Sequence, residues 1–510
     1  MADHIAIVPG AGAENVRTAE QYRSYGQIEI HTPTATYGPG SVLDPTLSLI
    51  TVSIQKQLSS TNSTDEIGQA TILLTSGIFH QDPSATWLDY VQIMDLVVVY
   101  LSNQGPSNLR TRFIGYITSI KEVIDTSNAQ APQRYIQILA QDPMMAFQTD
   151  LIFNTLITQY TTSSTSQQKS VIQNLFRQMQ ATIGVLPKNP GSIPLLSLFA
   201  SVLGFTTYNN RLFTITPSET AHILMNGALT ALFNPVSSVR NQYFAGSVGF
   251  VKLVTQAFDN TSQFSGAGYY VSAQSGTFYA TLTQVMNTPF LEFFGDVRSA
   301  DQLGSSMLIP PPYTSTNPGV SFGPDRATFN VVIRNTPFDT TSQCPGTSAT
   351  YWEQLPVTTV YMKHTVQKNL GPDNTDVVNY YFVYPEGYVQ QLQGFQNSLS
   401  TQYGALIDAP SVARYGLQQL VVPILGYPVS LNPAIVGQFR QTLYDWYKDN
   451  PLFYKGTVQI EGDETLRIGT RARLAGTGLT AYIEGIQETY TPFSSYDMTL
   501  TLSRGFAYGT

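Results

Sequence analysis

Short runs of β-branched and aromatic residues, alternating with polar ones and closed by Gly, Pro, Asn or Asp, recur from residue 27 to the end of this chain. Alternation at period two places successive side chains on opposite faces of a strand, so such runs build half-buried sheets rather than helices. Gln27–His31, Ser48–Gln57, Ala70–Leu74, Val97–Leu101, Phe113–Val123 and Tyr135–Leu139 follow the rule, the last ending at Gln141-Asp142-Pro143. Six short strands with turns between them predict a barrel or sandwich over residues 27–150. Residues 1–26 carry Pro9-Gly-Ala-Gly-Ala and little periodicity, and read as an N-terminal arm.

The texture then changes. Val171, Leu175, Met179 and Ile183 lie four apart on one helical stripe that Gly184 and Pro187 close. Leu195–Leu203 reads as a second buried helix, and Phe205–Tyr208 with Leu212–Ile215 as a hairpin about Asn209-Asn210, giving a mixed α/β insertion over 151–245. A β-rich domain follows over 246–345. In it Tyr269–Gln284 reads as a strand pair around Gln274-Ser-Gly. Pro289–Asp296 and Thr328–Ile333 read as strands divided by the loop Ile309-Pro-Pro-Pro-Tyr. Thr336–Ser348 reads as a boundary loop, and Val357–Val366 and Val377–Tyr384 as strands of an α/β connecting domain over 346–431.

Residues 432–510 are the clearest. Asn432 is placed as an N-cap with Pro433 at the first helical position, and Ile435, Phe439, Leu443, Trp446 and Tyr447 form an apolar stripe that Asp449-Asn450-Pro451 stops. Four strand-like segments with Gly at the turns follow: Tyr454–Gly462, Leu466–Leu474, Thr480–Gln487 and Met498–Ser503. They predict a second barrel.

Charged residues are only 12% of the 510, about half the usual share, while 42% are hydrophobic, so the polar surface is mostly neutral and suited to protein contacts. A length of 510 predicts several domains. Net charge is −8 and no basic stripe is present, which argues against stable nucleic-acid binding. The densest basic stretch, Arg467, Arg471 and Arg473, neighbours Asp463 and Glu464 and reads as a solvated or interface-paired face. Met1-Ala-Asp-His-Ile lacks the pattern of a signal peptide, and the apolar run Leu96–Leu101 is far too short for a membrane span.

Nothing in the chain assembles a catalytic or metal site. Cys344 is the only cysteine, and His4, His31, His80, His222 and His364 are scattered without ligand spacing. Asp463 and Glu464 are adjacent, but neighbours in a turn point apart, whereas a glycosidase needs two carboxylates facing one cleft. Gly10-Ala-Gly-Ala-Glu is not followed by Gly-Lys-Ser/Thr, and no Gly-x-Ser-x-Gly elbow occurs. His222 lies in the apolar stretch Ala221–Leu232 and reads as a packed residue. We therefore expect no catalytic residues, no cofactor, no metal, and no enzymatic activity.

The two barrels echo one another. Asp95–Leu101 leads to Phe113-Ile-Gly-Tyr-Ile and then Arg134–Ala140; Ile468–Leu474 leads to Tyr482-Ile-Glu-Gly-Ile and then Asp497–Ser503. At these residues the sequence resembles the baseplate hub family of tailed phages, which includes the hub part of type VI secretion spike proteins. Three segments carry the likeness. Asp95-Leu-Val-Val-Val-Tyr-Leu through Arg112-Phe-Ile-Gly-Tyr-Ile-Thr-Ser-Ile is similar to a tube-barrel step. Pro289-Phe-Leu-Glu-Phe-Phe-Gly-Asp with Phe329-Asn-Val-Val-Ile-Arg-Asn-Thr-Pro-Phe resembles a hub strand pair. The most specific segment joins the helix at Asn432–Tyr447 to Gly456-Thr-Val-Gln-Ile-Glu-Gly, Arg467-Ile-Gly, Tyr482-Ile-Glu-Gly-Ile and Thr499-Leu-Thr-Leu-Ser-Arg-Gly.

The resemblance implies a mainly β fold with α+β insertions, containing two tail-tube-like β-barrels and smaller mixed domains. It implies a homotrimer whose pseudo-sixfold ring adapts a hexameric tail tube above to a separate trimeric spike below. Wedge and tape-measure proteins are further expected neighbours. DNA would pass transiently through a central channel, which the net charge of −8 per chain would make neutral to acidic, and the protein would sit in the virion baseplate after synthesis in the host cytoplasm. Because the chain ends at Thr510, soon after its last strand, any spike or cell-wall enzyme is expected on another subunit. Two other classes fit a β-rich chain poor in charge: a receptor-binding adhesin of the distal tail, which would bind glycans, and a cell-wall hydrolase, which would clear a zymogram.

Overall fold

The computed structural model describes residues 24–58 (except 33 and 42), 66–77, 85–125, 133–145, 151–153, 251–256, 275–277, 290–299, 313–315, 321–338, 350–385, 404–424 and 433–507. The first strands are β1 (Tyr25–His31), β2 (Thr36–Tyr37), β3 (Leu49–Gln57), β4 (Glu66–Thr75), β5 (Leu96–Ser102), β6 (Arg110–Asp125) and β7 (Gln133–Gln141). Next come β8 (Leu151–Phe153), β9 (Val251–Gln256), β10 (Ser275–Thr277), β11 (Leu291–Arg298), β12 (Tyr313–Ser315) and β13 (Thr328–Asn335). They are followed by α1 (Tyr351–Gln354), β14 (Val357–Val360), β15 (Thr365–Pro372), β16 (Tyr380–Pro385), β17 (Leu406–Ile407), α2 (Ala409–Tyr415) and β18 (Gln419–Ile424). The chain closes with α3 (Pro433–Tyr447), β19 (Tyr454–Glu461), β20 (Arg471–Leu474), β21 (Leu479–Thr491) and β22 (Ser495–Ala507).

The protein is mainly β, as the periodicity predicts. Thirteen strands form one sheet whose main path runs β15-β19-β22-β21-β3-β4-β7-β6-β5-β1-β2, with β20 beside β21 and β14 beside β20. The path does not return on itself, so the described strands form no closed barrel; the two expected barrels are two modules of one sheet. Smaller sheets run β11-β13-β9-β12 and β17-β16-β18, with a β8–β10 pair. All seven residues of β5 are buried, which explains its unbroken apolar run Leu-Val-Val-Val-Tyr-Leu. Alternation survives in β3, where Val52, Ile54 and Lys56 are inward and Gln55 faces out.

The modules share one wiring. Strands β3, β4, β5, β6 and β7 are ordered β5-β6-β7-β4-β3; β15, β19, β20, β21 and β22 are ordered β20-β21-β22-β19-β15. Register agrees residue by residue. Leu96 faces Tyr116 as Arg471 faces Tyr482. Ile117 N–H donates to Asp95 O while Met94 N–H donates to Ile117 O; Ile483 repeats this with Thr470 and Gly469. Met94 and Gly469 share a left-handed backbone, φ 75° and 70°.

Irregularities recur as well. The β6–β7 register shifts between Ile117 and Ser119, and the β21–β22 register between Ile483 and Gly485. The β3–β4 register shifts between Leu49 and Thr51, and the β15–β19 register between Thr365 and Gln367. Bulges re-aim strands at defined places. Finding two at matching places makes the modules equivalent rather than merely alike. Each module also enters through a 3-10 turn, Pro45–Ser48 before β3 and Met362–His364 before β15. They diverge at the next strand: β1 runs antiparallel to β5, whereas β14 runs parallel to β20.

Several expectations are corrected. The echo is shifted by three residues: Tyr482 corresponds to Tyr116, not Phe113, so the matched segments are Tyr116-Ile-Thr-Ser-Ile and Tyr482-Ile-Glu-Gly-Ile. Leu466–Leu474 is a strand only from Arg471, because Leu466–Thr470 forms a buried turn. Val357–Val366 is broken by the turn at Met362–His364, and its two halves, with the rest of β15, lie in the main sheet rather than in a separate connecting unit. Only β16, β17 and β18 of the 346–431 span form a sheet of their own. Ser275-Gly276 lies in β10, which pairs with β8 instead of turning a local hairpin.

The helix expected from Pro433 is α3, and Phe439, Leu443, Trp446 and Tyr447 are its buried stripe. The arm before residue 24 and the helices and hairpin expected between 167 and 215 lie outside the described residues.

Candidate functional site: the seam between two β-modules

The two modules join edge to edge inside the chain. The second half of β21 pairs antiparallel with β3, from Gly485 opposite Gln57 to Tyr490 opposite Val52. Leu58 N–H donates to Glu484 O, and the Thr51 hydroxyl to Tyr490 O, so the seam is hydrogen-bonded along its length. β21 is long enough to hold β20 with its first residues and β3 with its last, and that length sets the two modules side by side.

Behind the seam lies a layer of buried charge. Arg112 grips Glu488 through Nε (2.9 Å to Oε2) and Nη2 (2.7 Å to Oε1), with both side chains almost fully buried. Its Nη1 donates to the carbonyls of Glu464 and Leu466, at 2.9 and 3.1 Å. The Tyr496 hydroxyl donates to Glu488 at 2.6 Å. Burial alone would lower the Arg112 pKa, but the facing Glu488 carboxylate outweighs it and keeps the guanidinium above its ordinary value.

The β11–β13 sheet ties into the same layer. Glu292 accepts from Arg334 Nε at 2.7 Å and from the Tyr482 hydroxyl at 2.8 Å, and Arg334 Nη2 also donates to Gly469 O at 2.9 Å. Asp296 receives Lys56 Nζ at 2.7 Å and Arg298 Nε at 2.9 Å, while Arg298 Nη2 reaches Ile468 O at 2.8 Å. Lys56 comes from β3, Asp296 from β11 and Ile468 from the turn before β20, so one cluster locks three parts of the chain. Asp142 accepts from the N–H groups of Gly68 and Met144, at 2.8 and 2.9 Å, and burial pushes its carboxyl up to about 7.

An aromatic core flanks these charges. Phe338 packs edge-on against Tyr482 and Trp446, at 5.3 and 6.3 Å between ring centroids, and Phe290 packs against Phe439 at 4.7 Å. Arg504, of the closing Arg-Gly, sits 3.7 Å above the Phe338 ring and donates to Trp446 O at 2.7 Å. Phe338 falls inside the expected boundary loop Thr336–Ser348, yet it is 3% exposed: its start is an anchor, not a linker.

The other singled-out residues have structural roles. Asp463 caps its own turn, accepting from the Thr465 N–H and hydroxyl, and the buried Glu464 accepts from Asn103 N–H. Their turn role matches expectation. The basic stretch is not one face: Arg473 is exposed, but Arg467 and Arg471 are buried. Arg467 donates to the carbonyls of Glu464 and Leu466, and Arg471 to those of Glu353 and Leu355. His31 contacts Glu29, His364 contacts Glu461, and Cys344, His4, His80 and His222 lie outside the described residues. Among the described residues no group of His, Cys, Asp or Glu is placed to hold a metal ion, and no helix is long and apolar enough to cross a membrane.

The sequence reading missed the buried ion pairs. Lys56 and Glu488 lie at inward positions of alternating stretches, whereas Arg112 and Glu292 lie in stretches buried on both faces; in both settings a charge among inward residues was the available signal.

No family model and no curated protein matches the chain. Solved structures similar to it include a tail protein from Neisseria meningitidis MC58, with 9% identity, 94% of this chain and 96% of that one covered, and a TM-score of 0.44. A 43 kDa tail protein of prophage MuSo2 from Shewanella oneidensis gives 8% identity, 94% and 97% coverage, and a TM-score of 0.41. An E. coli component of the type VI secretion system, itself described as similar to phage T4 tail proteins, gives 10% identity, 91% and 74% coverage, and a TM-score of 0.34.

Proposed function

We propose that this chain is a non-enzymatic baseplate hub of a phage tail, acting as a homotrimer. The observation that carries the reading is the internal equivalence: one chain holds two β-modules of the same strand order, with matching register and two bulges at matching places, already joined edge to edge. A head-to-tail contact that repeats closes into a ring. Three chains with two modules each present six similar units to a sixfold tube, yet keep threefold symmetry towards a spike. The hub lines the channel, with tail tube above, a separate spike below, and wedge and tape-measure proteins as neighbours. With a net charge of −8 per chain, the ring lets DNA pass without holding it.

Native mass spectrometry of the purified chain, combined with electron microscopy, tests this. A species of three chains showing an annulus with six lobes is expected. A monomer at micromolar concentration, or particles without a central opening, would contradict it.

A further inference from the structure

Among the edges that the sheet crossing the seam leaves without a partner among the described strands, two correspond to the strands that meet in that seam. β15 is paired only by β19, and β6 beyond Ile117 only by β7. By the equivalence above, β15 corresponds to β3 and the second half of β6 to the second half of β21. These are the two strand segments that meet in the intrachain seam. The chain therefore carries one finished joint and the two separated halves of another.

We infer that the second half of β6 in one copy pairs antiparallel with β15 of a second copy, reproducing the intrachain seam; this rests on the trimeric reading above. The register follows from Gly485–Tyr490 against Val52–Gln57. It places Lys121 opposite Gly371, Glu122 opposite Leu370, Val123 opposite Asn369 and Ile124 opposite Lys368, each pair across two chains. Ile120, Glu122 and Ile124 correspond to Ile486, Glu488 and Tyr490. Their backbone N–H and C=O groups accordingly face outward, towards the outward groups of Lys368 and Leu370.

Three further observations fit a second copy at this edge. Ile120 and Leu370 are partly buried against the core, and Ile124 and Val366 are 51% and 63% exposed, so both halves offer apolar surface. Glu122 and Lys368 become diagonal neighbours on one face, a favourable cross-strand pair. β15 also bears Lys368 and Pro372, the residues with which proteins blunt a free edge. Pro372 lacks an N–H, so the interchain joint ends one hydrogen bond short of its intrachain counterpart.

The test uses the full chain with Cys344→Ser and the pair Val123→Cys and Asn369→Cys. Val123 and Asn369 correspond to Thr489 and Ser53, a pair without mutual hydrogen bonds, where Cβ atoms approach most closely. Oxidation should give a covalent ring of three chains on a denaturing, non-reducing gel. Val123→Cys with Leu370→Cys points the thiols to opposite faces and should leave single chains. Glu122→Pro, which removes one outward N–H, should give a folded monomer. If the wild type has the mass of three chains but Val123→Cys/Asn369→Cys never cross-links, another surface holds the trimer and the joint is wrong. A monomeric wild type overturns both the joint and the hub. A covalent ring of another copy number keeps the joint and sinks the threefold count.

Discussion

Arg112 and Glu488, 376 positions apart in sequence, form a bidentate ion pair whose two side chains are 2% and 1% exposed. The pair bridges the two modules within the stretch where β21 pairs with β3, Glu488 standing opposite Ile54. A buried pair adds little net stability over an apolar one, but half of it is expensive to leave behind. Arg112→Ala should therefore destabilise the fold by about 3–5 kcal/mol. Replacing both residues together, Arg112→Met with Glu488→Leu, should recover most of that loss. Urea unfolding of the wild type and the two variants measures it; an equal loss in the single and double variants would contradict this account.

Asp142 should make stability depend on pH. Its carboxyl is raised from 3.8 to about 7, chiefly by burial, so the folded state binds this proton more tightly than the unfolded state. The contribution is fully present below about pH 4 and is lost as pH rises through about 7. Asp142→Asn removes the titration while keeping one amide oxygen to accept a backbone N–H. Relative to the variant, the wild type should lose stability between pH 4 and 8, read as diverging melting temperatures.

Gly469 adopts φ +70°, and an added Cβ would lie 2.8 Å from Phe294 and 3.0 Å from Arg334. Gly40, at φ +82°, has open space around it. Left-handed strain alone is worth about 1–2 kcal/mol for an L-residue. Gly40→Ala should show roughly that loss, and Gly469→Ala clearly more, because the Arg334–Glu292–Tyr482 cluster has to move. Equal losses would mean that the cluster yields without resistance.

Phe338→Ala should lower stability by about 3–5 kcal/mol, the range for emptying a packed aromatic site. A residue in a boundary linker would change it by less than about 0.5 kcal/mol. Thermal unfolding distinguishes the two.

β3, β4 and β7 are legible because each has one inward face, which leaves period two in the sequence, and β5 because burial on both faces leaves an unbroken apolar run; Ser48–Gln57 and β3 differ by one residue. β20 was read too long, since Leu466 and Ile468 alternate with Arg467 as a strand would. The chain there turns instead, held by the Gly469 backbone and by Arg467 bonded to nearby carbonyls. The echo sets Phe113-Ile-Gly-Tyr-Ile beside Tyr482-Ile-Glu-Gly-Ile by strand order, whereas the shared element is a buried tyrosine followed by isoleucine, a bulge, a small residue and isoleucine. The glycines of the two segments are not equivalent: Gly115 lies against Gln141 O and the Phe113 ring, Gly485 against Thr501. The charged layer stayed hidden because its partners are hundreds of residues apart, and no local pattern joins Lys56 to Asp296 or Arg334 to Gly469.

Since β21 and β3 belong to one molecule, half of the contacts in a six-lobed annulus never have to find each other by diffusion. Their local concentration is fixed by the chain and does not fall when the protein is scarce. In the proposed ring of three chains, dilution would act only on the remaining three contacts, and assembly would begin from units that are already pairs. An annulus with an odd number of lobes then has no simple route to form.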